Sequence, residues 1–191
     1  MKNLILIGGG GHCKSCIDVI EQEGKYNIKG ILDTPEKIGQ EVLGYKIIGT
    51  DNDIKKYIDN CLFLITIGYI KTPDLRIKIF NQIKELNGKL ATIISPRAYV
   101  SKYAKIEEGT IVHHNAFINA NVSIGKNCII NTASIIEHDC IVKDNCHIAI
   151  GAKLCGDVTI KEKTFIGANS LIVQQKIINE NSFIKAQSLV K

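Results

Sequence analysis

The stretch SIIEHDCIV, residues 134–142, sets His138 between Glu137 and Asp139 and encloses the three in aliphatic residues. Imidazole titrates close to neutral pH, so a positioned histidine can take the proton of an attacking amine or hydroxyl. A carboxylate beside it fixes the ring tautomer and steadies the imidazolium as it forms. His138 is therefore the candidate general base and Asp139 its supporting acid. Glu137 follows the aliphatic Ile136 directly and ranks behind Asp139. The competing reading is a solvated histidine at the corner of a structural repeat.

A second set of candidates lies near the N-terminus. The loop Gly8-Gly9-Gly10-Gly11-His12 lets backbone pass close to a bound group, and the helix start after it offers amide hydrogens and a positive dipole end to a phosphate. As a dinucleotide fingerprint it is imperfect, because Cys13 stands where G-x-G-x-x-G has its third glycine. A tight turn is the alternative. Asp33 ends the second apolar run, where Rossmann-like sheets hold a ribose; a solvated turn residue would read the same. Cys13 and Cys16 form C-x-x-C, but no second pair stands at metal spacing, so no metal is expected.

These residues need elements to position them. From Val100 onward every sixth residue is aliphatic through Val190, and the residue four places after each is small, Lys176 excepted. This is the hexapeptide signature of a β-helix made of short parallel strands, with aliphatics filling the prism and small residues its inner corners. Cys128, Cys140 and Cys146 fall in the small set and are inward fillers. With three hexads per coil, residues eighteen apart stack, and the column through His138 reads Lys102, Ala120, His138, Gly156, Gln174. Gly156 leaves a notch beside the imidazole, whose ring should point outward from a corner.

Before this repeat the pattern changes. Apolar runs at NLILI, NIKGILD and CLFLITIG alternate with helical stretches after the glycine loop and over TPDLRIKIFNQIKELNG, and KLATIIS reads as a further strand. Alternating strands and helices predict a parallel Rossmann-like sheet. Pro96 marks the junction, giving a Rossmann-like domain over 1–97 and a β-helix over 98–191.

Composition limits the partners. The chain has 191 residues, 45% hydrophobic and 23% charged, with a net charge of +5. No run has the apolar length to span a bilayer, and the opening apolar run is too short for a signal peptide. A cytoplasmic protein with reduced thiols is expected, and the seven cysteines are an odd number. The lysines are scattered, so nucleic acid is not expected; a polyanionic small molecule suits the balance better.

With GGGGH, ILD and TIG at the strand ends of a small Rossmann-like domain, and IEHDC and HIAIGAKLCGDVTI in the hexapeptide half, the whole chain resembles the sialic acid O-acetyltransferase type of bacterial acyltransferases. It is most similar to the subgroup that N-acetylates nucleotide-linked 4-amino-sugars, the bacillosamine-pathway type. The resemblance implies a left-handed β-helix, a homotrimer, acetyl-CoA as co-substrate in grooves between prisms, and a nucleotide sugar on the N-terminal domain. It also implies residue roles. His138 would be the base and Asp139 its support; His147, Asn131, Gly156 and Ala168 would line the acyl-CoA site; Gly10, Gly11, His12, Asp33 and Gly68 would contact the nucleotide sugar. His147 lies mid-strand on an outward face, half a coil from His138, so the two would meet only across subunits. His113 and His114 are expected at the surface or an interface. Two departures concern the CoA arm: Gln174-Gln175 replaces a Pro-Gly pair, and the chain ends at Lys191 without the relatives' Gly-x-Pro-Ala-Lys tail.

Three other readings compete. O-acetylation of a sialic-acid-like sugar or polysaccharide keeps the same machinery. A non-catalytic nucleotide-sugar sensor would keep the glycine loop and Asp33. A β-helix carbonic anhydrase needs three converging histidines, usually with one pair four residues apart, which this sequence lacks.

Overall fold

The computed structural model describes residues 1–191. In the N-terminal half, β1 (Lys2–Ile7), β2 (Tyr26–Leu32), β3 (Glu41–Val42), β4 (Tyr45–Gly49) and β5 (Leu62–Ile65) form one sheet in the order β3-β4-β2-β1-β5. All neighbours are parallel except β3 with β4. Residues Leu4 to Ile7 of β1 are fully buried, as a central strand covered on both faces requires. Leu4 and Leu6 face helix α1 (Gly11–Glu23) through Cys13, Cys16, Ile17 and Ile20; Ile5 and Ile7 belong to the core that holds Ile79 and Ile83 of α2 (Asp74–Glu85). Gly24 ends α1 at φ 66, a left-handed cap that costs glycine little.

The C-terminal half is a left-handed parallel β-helix of two-residue strands. Its first face stacks β6 (Ile93–Ile94), β9 (Ile111–Val112), β12 (Ile129–Ile130), β15 (His147–Ile148), β18 (Phe165–Ile166) and β21 (Phe183–Ile184). The second stacks β7 (Tyr99–Val100), β10 (Phe117–Ile118), β13 (Ile135–Ile136), β16 (Lys153–Leu154), β19 (Leu171–Ile172) and β22 (Leu189–Val190), and the third β8 (Lys105–Ile106), β11 (Ser123–Ile124), β14 (Ile141–Val142), β17 (Thr159–Ile160) and β20 (Ile177–Ile178). Register is eighteen residues, Ile118 on Ile136 on Leu154 on Ile172. The second residue of each strand points inward, and Val112 through Ile172 are at most 1% exposed.

The small inward residues do more than fit. Cys128, Cys140 and Cys146 donate S–H to the carbonyls of Lys143, Cys155 and Lys161, each at 3.1 Å. Thr110, Thr164 and Ser170 make the equivalent O–H bonds to Gly125, Asn179 and Lys185. A small residue with a donor therefore ties its corner to the next coil, which explains why Cys, Ser and Thr share the position with Ala and Val. Three residues after each inward aliphatic the backbone turns left-handed, with Asn115, Asn121, Asn127, Asp139, Asn145, Asp157 and Asn169 at φ 54 to 63. Asn and Asp tolerate that region better than other side chains.

The junction differs from the sequence expectation. Residues 89–91 extend the Rossmann-like sheet, Phe63 N–H donating to Lys89 O and Ala91 N–H to Phe63 O, whereas Ile93 and Ser95 donate to Thr110 O and Val112 O. The strand expected over KLATIIS is thus split between the two halves, and the first β-helix strand precedes Pro96. Both halves also share a core: Ile93 and Ile111 pack with the residues of α1. No helix is long and apolar enough to cross a membrane.

Candidate active site

His138 stands at the corner between the second and third faces, with its side chain 61% exposed. Its Nδ1 lies 2.8 Å from Asp139 Oδ2. A carboxylate only accepts, so Nδ1 carries a proton, and in the neutral ring Nε2 presents a lone pair to solvent. Asp139 is placed by the fold: it is the left-handed corner residue, φ 63, and its Oδ1 accepts from Asn121 Nδ2 one coil away at 2.7 Å. The hydrogen bond to Asp139 raises the His138 pKa above the ordinary imidazole value, and the bonds from Asn121 and His138 hold Asp139 below the usual carboxylate range. Gly156 supports the ring from the neighbouring coil. A Cβ there would come within 2.6 Å of His138 Cε1, so any side chain would displace the imidazole. The expected notch is present and the ring fills it.

The second cluster forms a cleft of about 760 Å³ at the carboxyl ends of the N-terminal strands, lined by Gly10, Gly11, His12, Asp33 and Gly68 among others. This is where α/β sheets bind ligands. Asp33 is occupied as a brace: Oδ2 accepts from Gly9 N–H at 2.6 Å, Oδ1 from Thr34 N–H at 2.7 Å, and Lys37 Nζ lies 3.1 Å from both oxygens. Burial alone would raise its pKa, but these donors outweigh it and keep the carboxyl below the usual range. Asp33 therefore sets the shape of the glycine loop from beneath. Sequence reasoning missed two groups on the opposite wall, Asp51 and Lys78. Burial pushes the Asp51 carboxyl up, with Asp33 adding to the effect. Nothing local in the sequence ties Asp51 to a cleft built from four separate loops.

His147 stands on the outward face of its strand, where the sequence reading places it, but it is not open to solvent. It is 7% exposed and packed within its own chain, beneath Tyr69 and against Phe165. Its Nδ1 donates to Tyr69 O at 2.8 Å, which leaves Nε2 to accept from Asn131 Nδ2 at 3.1 Å. Burial lowers its pKa to about 4, so the ring is neutral at pH 7. The outward face is real, but the N-terminal domain covers it. Asn131 and Ala168 sit at corners between the first and second faces, partly buried, away from His138. His113, expected at the surface or an interface, is 1% exposed and stacks edge-on against His12 beneath the domain contact; His114 bonds Ser95 Oγ and Asp18. Their hidden partner is α1, distant in sequence.

One buried residue escaped the sequence reading altogether. Arg76 of α2, 1% exposed, donates from Nη1 to Ile65 O and Ile67 O at 2.6 and 2.7 Å, and from Nη2 to Asn127 O and Oδ1 at 3.2 and 2.7 Å. It ties the cleft's strand end to a β-helix corner. Tyr69 adds a second tie, its hydroxyl donating to Asn145 O at 2.6 Å.

The chain is similar to several known acetyltransferases. Residues 3–83 match the PglD N-terminal domain. The chain is 32% identical over 115 residues to UDP-N-acetylbacillosamine N-acetyltransferase of Bacillus subtilis strain 168, covering 58% of this chain and 50% of that protein. It spans about half or less of the length of the curated relatives it matches. Among solved structures, the acetyltransferase domain of PglB from Neisseria gonorrhoeae aligns with a TM-score of 0.91 at 26% identity, over 100% of this chain and 92% of that one, and is also known in complex with acetyl coenzyme A. A histidine-to-alanine variant of GDP-perosamine N-acetyltransferase from Caulobacter crescentus, in complex with CoA and GDP-perosamine, aligns with a TM-score of 0.80 at 25% identity, over 99% and 93%.

Proposed function

We propose that this chain, whose N-terminal half is a PglD N-terminal domain and which resembles bacillosamine-type hexapeptide acyltransferases along its whole length, transfers an acetyl group from acetyl-CoA to the amine of a nucleotide-linked sugar. The observation that carries this reading is His138, exposed, with Nδ1 held by Asp139 and the ring lying over Gly156, which leaves Nε2 free to act as the base in the neutral ring. The amine attacks the thioester carbonyl as Nε2 takes its proton; the tetrahedral intermediate collapses, and the CoA thiolate leaves and recovers a proton. No protein nucleophile is needed. The glycine loop and the start of α1 hold the diphosphate, with Asp33 bracing the loop. Acetylation of a sugar hydroxyl remains the second reading, because the same base serves it. The product is a building block for a bacterial glycan, made in the cytoplasm.

The active form is a homotrimer. The cleft is lined by the N-terminal domain, which packs on the first face of the prism through Tyr69 and His147, whereas His138 stands at the corner between the other two faces, an arrangement that favours a site shared between chains. The second face, edged by His138 on one side and by Asn131 and Ala168 on the other, carries an outward column of Tyr99, Phe117, Ile135, Lys153, Leu171 and Leu189, apolar except for Lys153. Tyr99 and Leu189 are 56% and 53% exposed in the isolated chain. Packing this face around a threefold axis covers it and sets the His138 edge of one prism against the Asn131 edge of the next. Light scattering at micromolar concentration should give three chains per particle, and a fully active monomer would contradict this.

Division of labour between the domains predicts a selective defect. Asp33→Ala frees the glycine loop and should raise the apparent KM for the nucleotide sugar while leaving that for acetyl-CoA nearly unchanged. Equal effects on both would move the nucleotide site elsewhere. The activity itself is tested by incubating the protein with acetyl-CoA and UDP-, GDP-, dTDP- and CMP-linked amino-sugars and following thiol release. Release with one nucleotide class supports the reading; tight binding of the sugar without release supports a sensor.

A further inference from the structure

His12 and Cys16 lie one turn apart on the same face of α1, and His113 meets them from the β-helix corner after β9. A ring nitrogen of each histidine and Sγ of Cys16 all lie within 4.8 Å of one another. Cys16 is fully buried and His113 is 1% exposed. Nε2 of His12 and Nε2 of His113 are both buried with no hydrogen-bond partner, although a buried ring nitrogen normally finds one. The rings stand edge to face at 5.1 Å instead of bonding each other. Each of these two clustered histidines thus keeps an orphaned ring nitrogen beside a free buried thiol, left without a protein explanation.

We propose that His12, Cys16 and His113 bind one zinc ion, which clamps the N-terminal helix to the first coils of the β-helix. Two imidazoles and a thiolate form a borderline-soft donor set that suits zinc. Donors around tetrahedral zinc sit roughly 3.3–3.8 Å apart, given bonds of about 2.0–2.3 Å. Side-chain rotation of about an ångström closes the present cluster to that size. His12 also lines the nucleotide cleft, so the fourth position falls to water from that side. The sequence reading expected no metal because no second pair stands at metal spacing from C-x-x-C, and His113 lies at no recognisable spacing from that pair. This site stands apart from acyl transfer, which needs no metal here.

The test uses full-length protein stripped with a chelator and given zinc or cobalt chloride. The wild type should retain one zinc per chain through gel filtration, rise in Tm by about 5–10 °C when zinc exceeds its Kd about 100-fold, and give the visible absorption of four-coordinate thiolate-bound cobalt. Cys16→Ala and His113→Gln should each lose all three responses, while Cys140→Ser, at a buried thiol outside the cluster, should keep them. Less than a tenth of an equivalent of zinc in the wild type, or full retention in both Cys16→Ala and His113→Gln, overturns the proposal.

Discussion

His138→Ala lowers kcat by about 10²–10⁴-fold while the protein stays folded and still binds acetyl-CoA. The size follows from losing the group that removes a proton as the new bond forms. The folding claim follows from exposure: the ring projects from a corner and fills no part of the prism core. Asp139→Asn has a smaller effect. The left-handed corner accepts Asn, as Asn121 and Asn145 show, but one amide oxygen would then have to serve both Asn121 Nδ2 and His138 Nδ1. The ring would be less well held and less basic. The pH profile separates orientation from bulk structure. Because Asp139 raises the His138 pKa, the wild-type kcat/KM should climb with pH along a limb above the ordinary imidazole value, as the ring loses its proton. In Asp139→Asn that limb should move to lower pH. A limb that stays in place would show that Asp139 is only a corner residue. Partial recovery of His138→Ala at alkaline pH would identify an amine acceptor, which water can deprotonate unaided.

Arg76→Met lowers Tm by about 6–20 °C, the second large effect. Four hydrogen bonds disappear, and the carbonyls of Ile65, Ile67 and Asn127 lose their donor inside the fold. Unsatisfied buried acceptors cost about 1–3 kcal/mol each, so a net loss near 3–5 kcal/mol is expected, and a chain this long shifts by about 2–4 °C per kcal/mol. Removing the charge works the other way. No carboxylate pairs with Arg76, and burial lowers its pKa to about 10, so it remains a cation that has been desolvated. The four charge-assisted bonds outweigh that burden. Arg76→Lys should recover only part of the loss, because one ammonium cannot reach the two domains with the geometry of a planar fork. A Tm equal to or above wild type in Arg76→Met, read by calorimetry, would mean that desolvation dominates.

The repeat was the most legible part of the chain, because each hexad encodes its own strand and needs only its neighbours to bury it. The aliphatic phase placed Val112 through Ile172 inside, and the column arithmetic put Gly156 beside His138. A second six-residue signal was present and unread: Asn, Asp or Gly recurs at the left-handed corners, and it places Asp139 structurally before any chemistry is considered. The glycine loop, Asp33 and Gly68 were also found together, since strand ends in such sheets converge on one edge. What stayed hidden was the contact between the halves. Arg76 on Asn127, Tyr69 over His147, and His113 against His12 join residues distant in sequence, and no period or motif records such pairings. Hence His147 was expected on an outward face, and the N-terminal domain that covers it went unread.

Acetyl transfer to a matched pair of acceptors, a nucleotide-linked 4-amino-sugar and its 4-hydroxyl counterpart, tests the central claim most directly. With acetyl-CoA and the wild-type protein, thiol release and a monoacetylated product should appear with the amino-sugar, depend on His138, and be far slower with the hydroxyl sugar. Binding of both ligands with no thiol release from either acceptor, or release unchanged in His138→Ala, would contradict it.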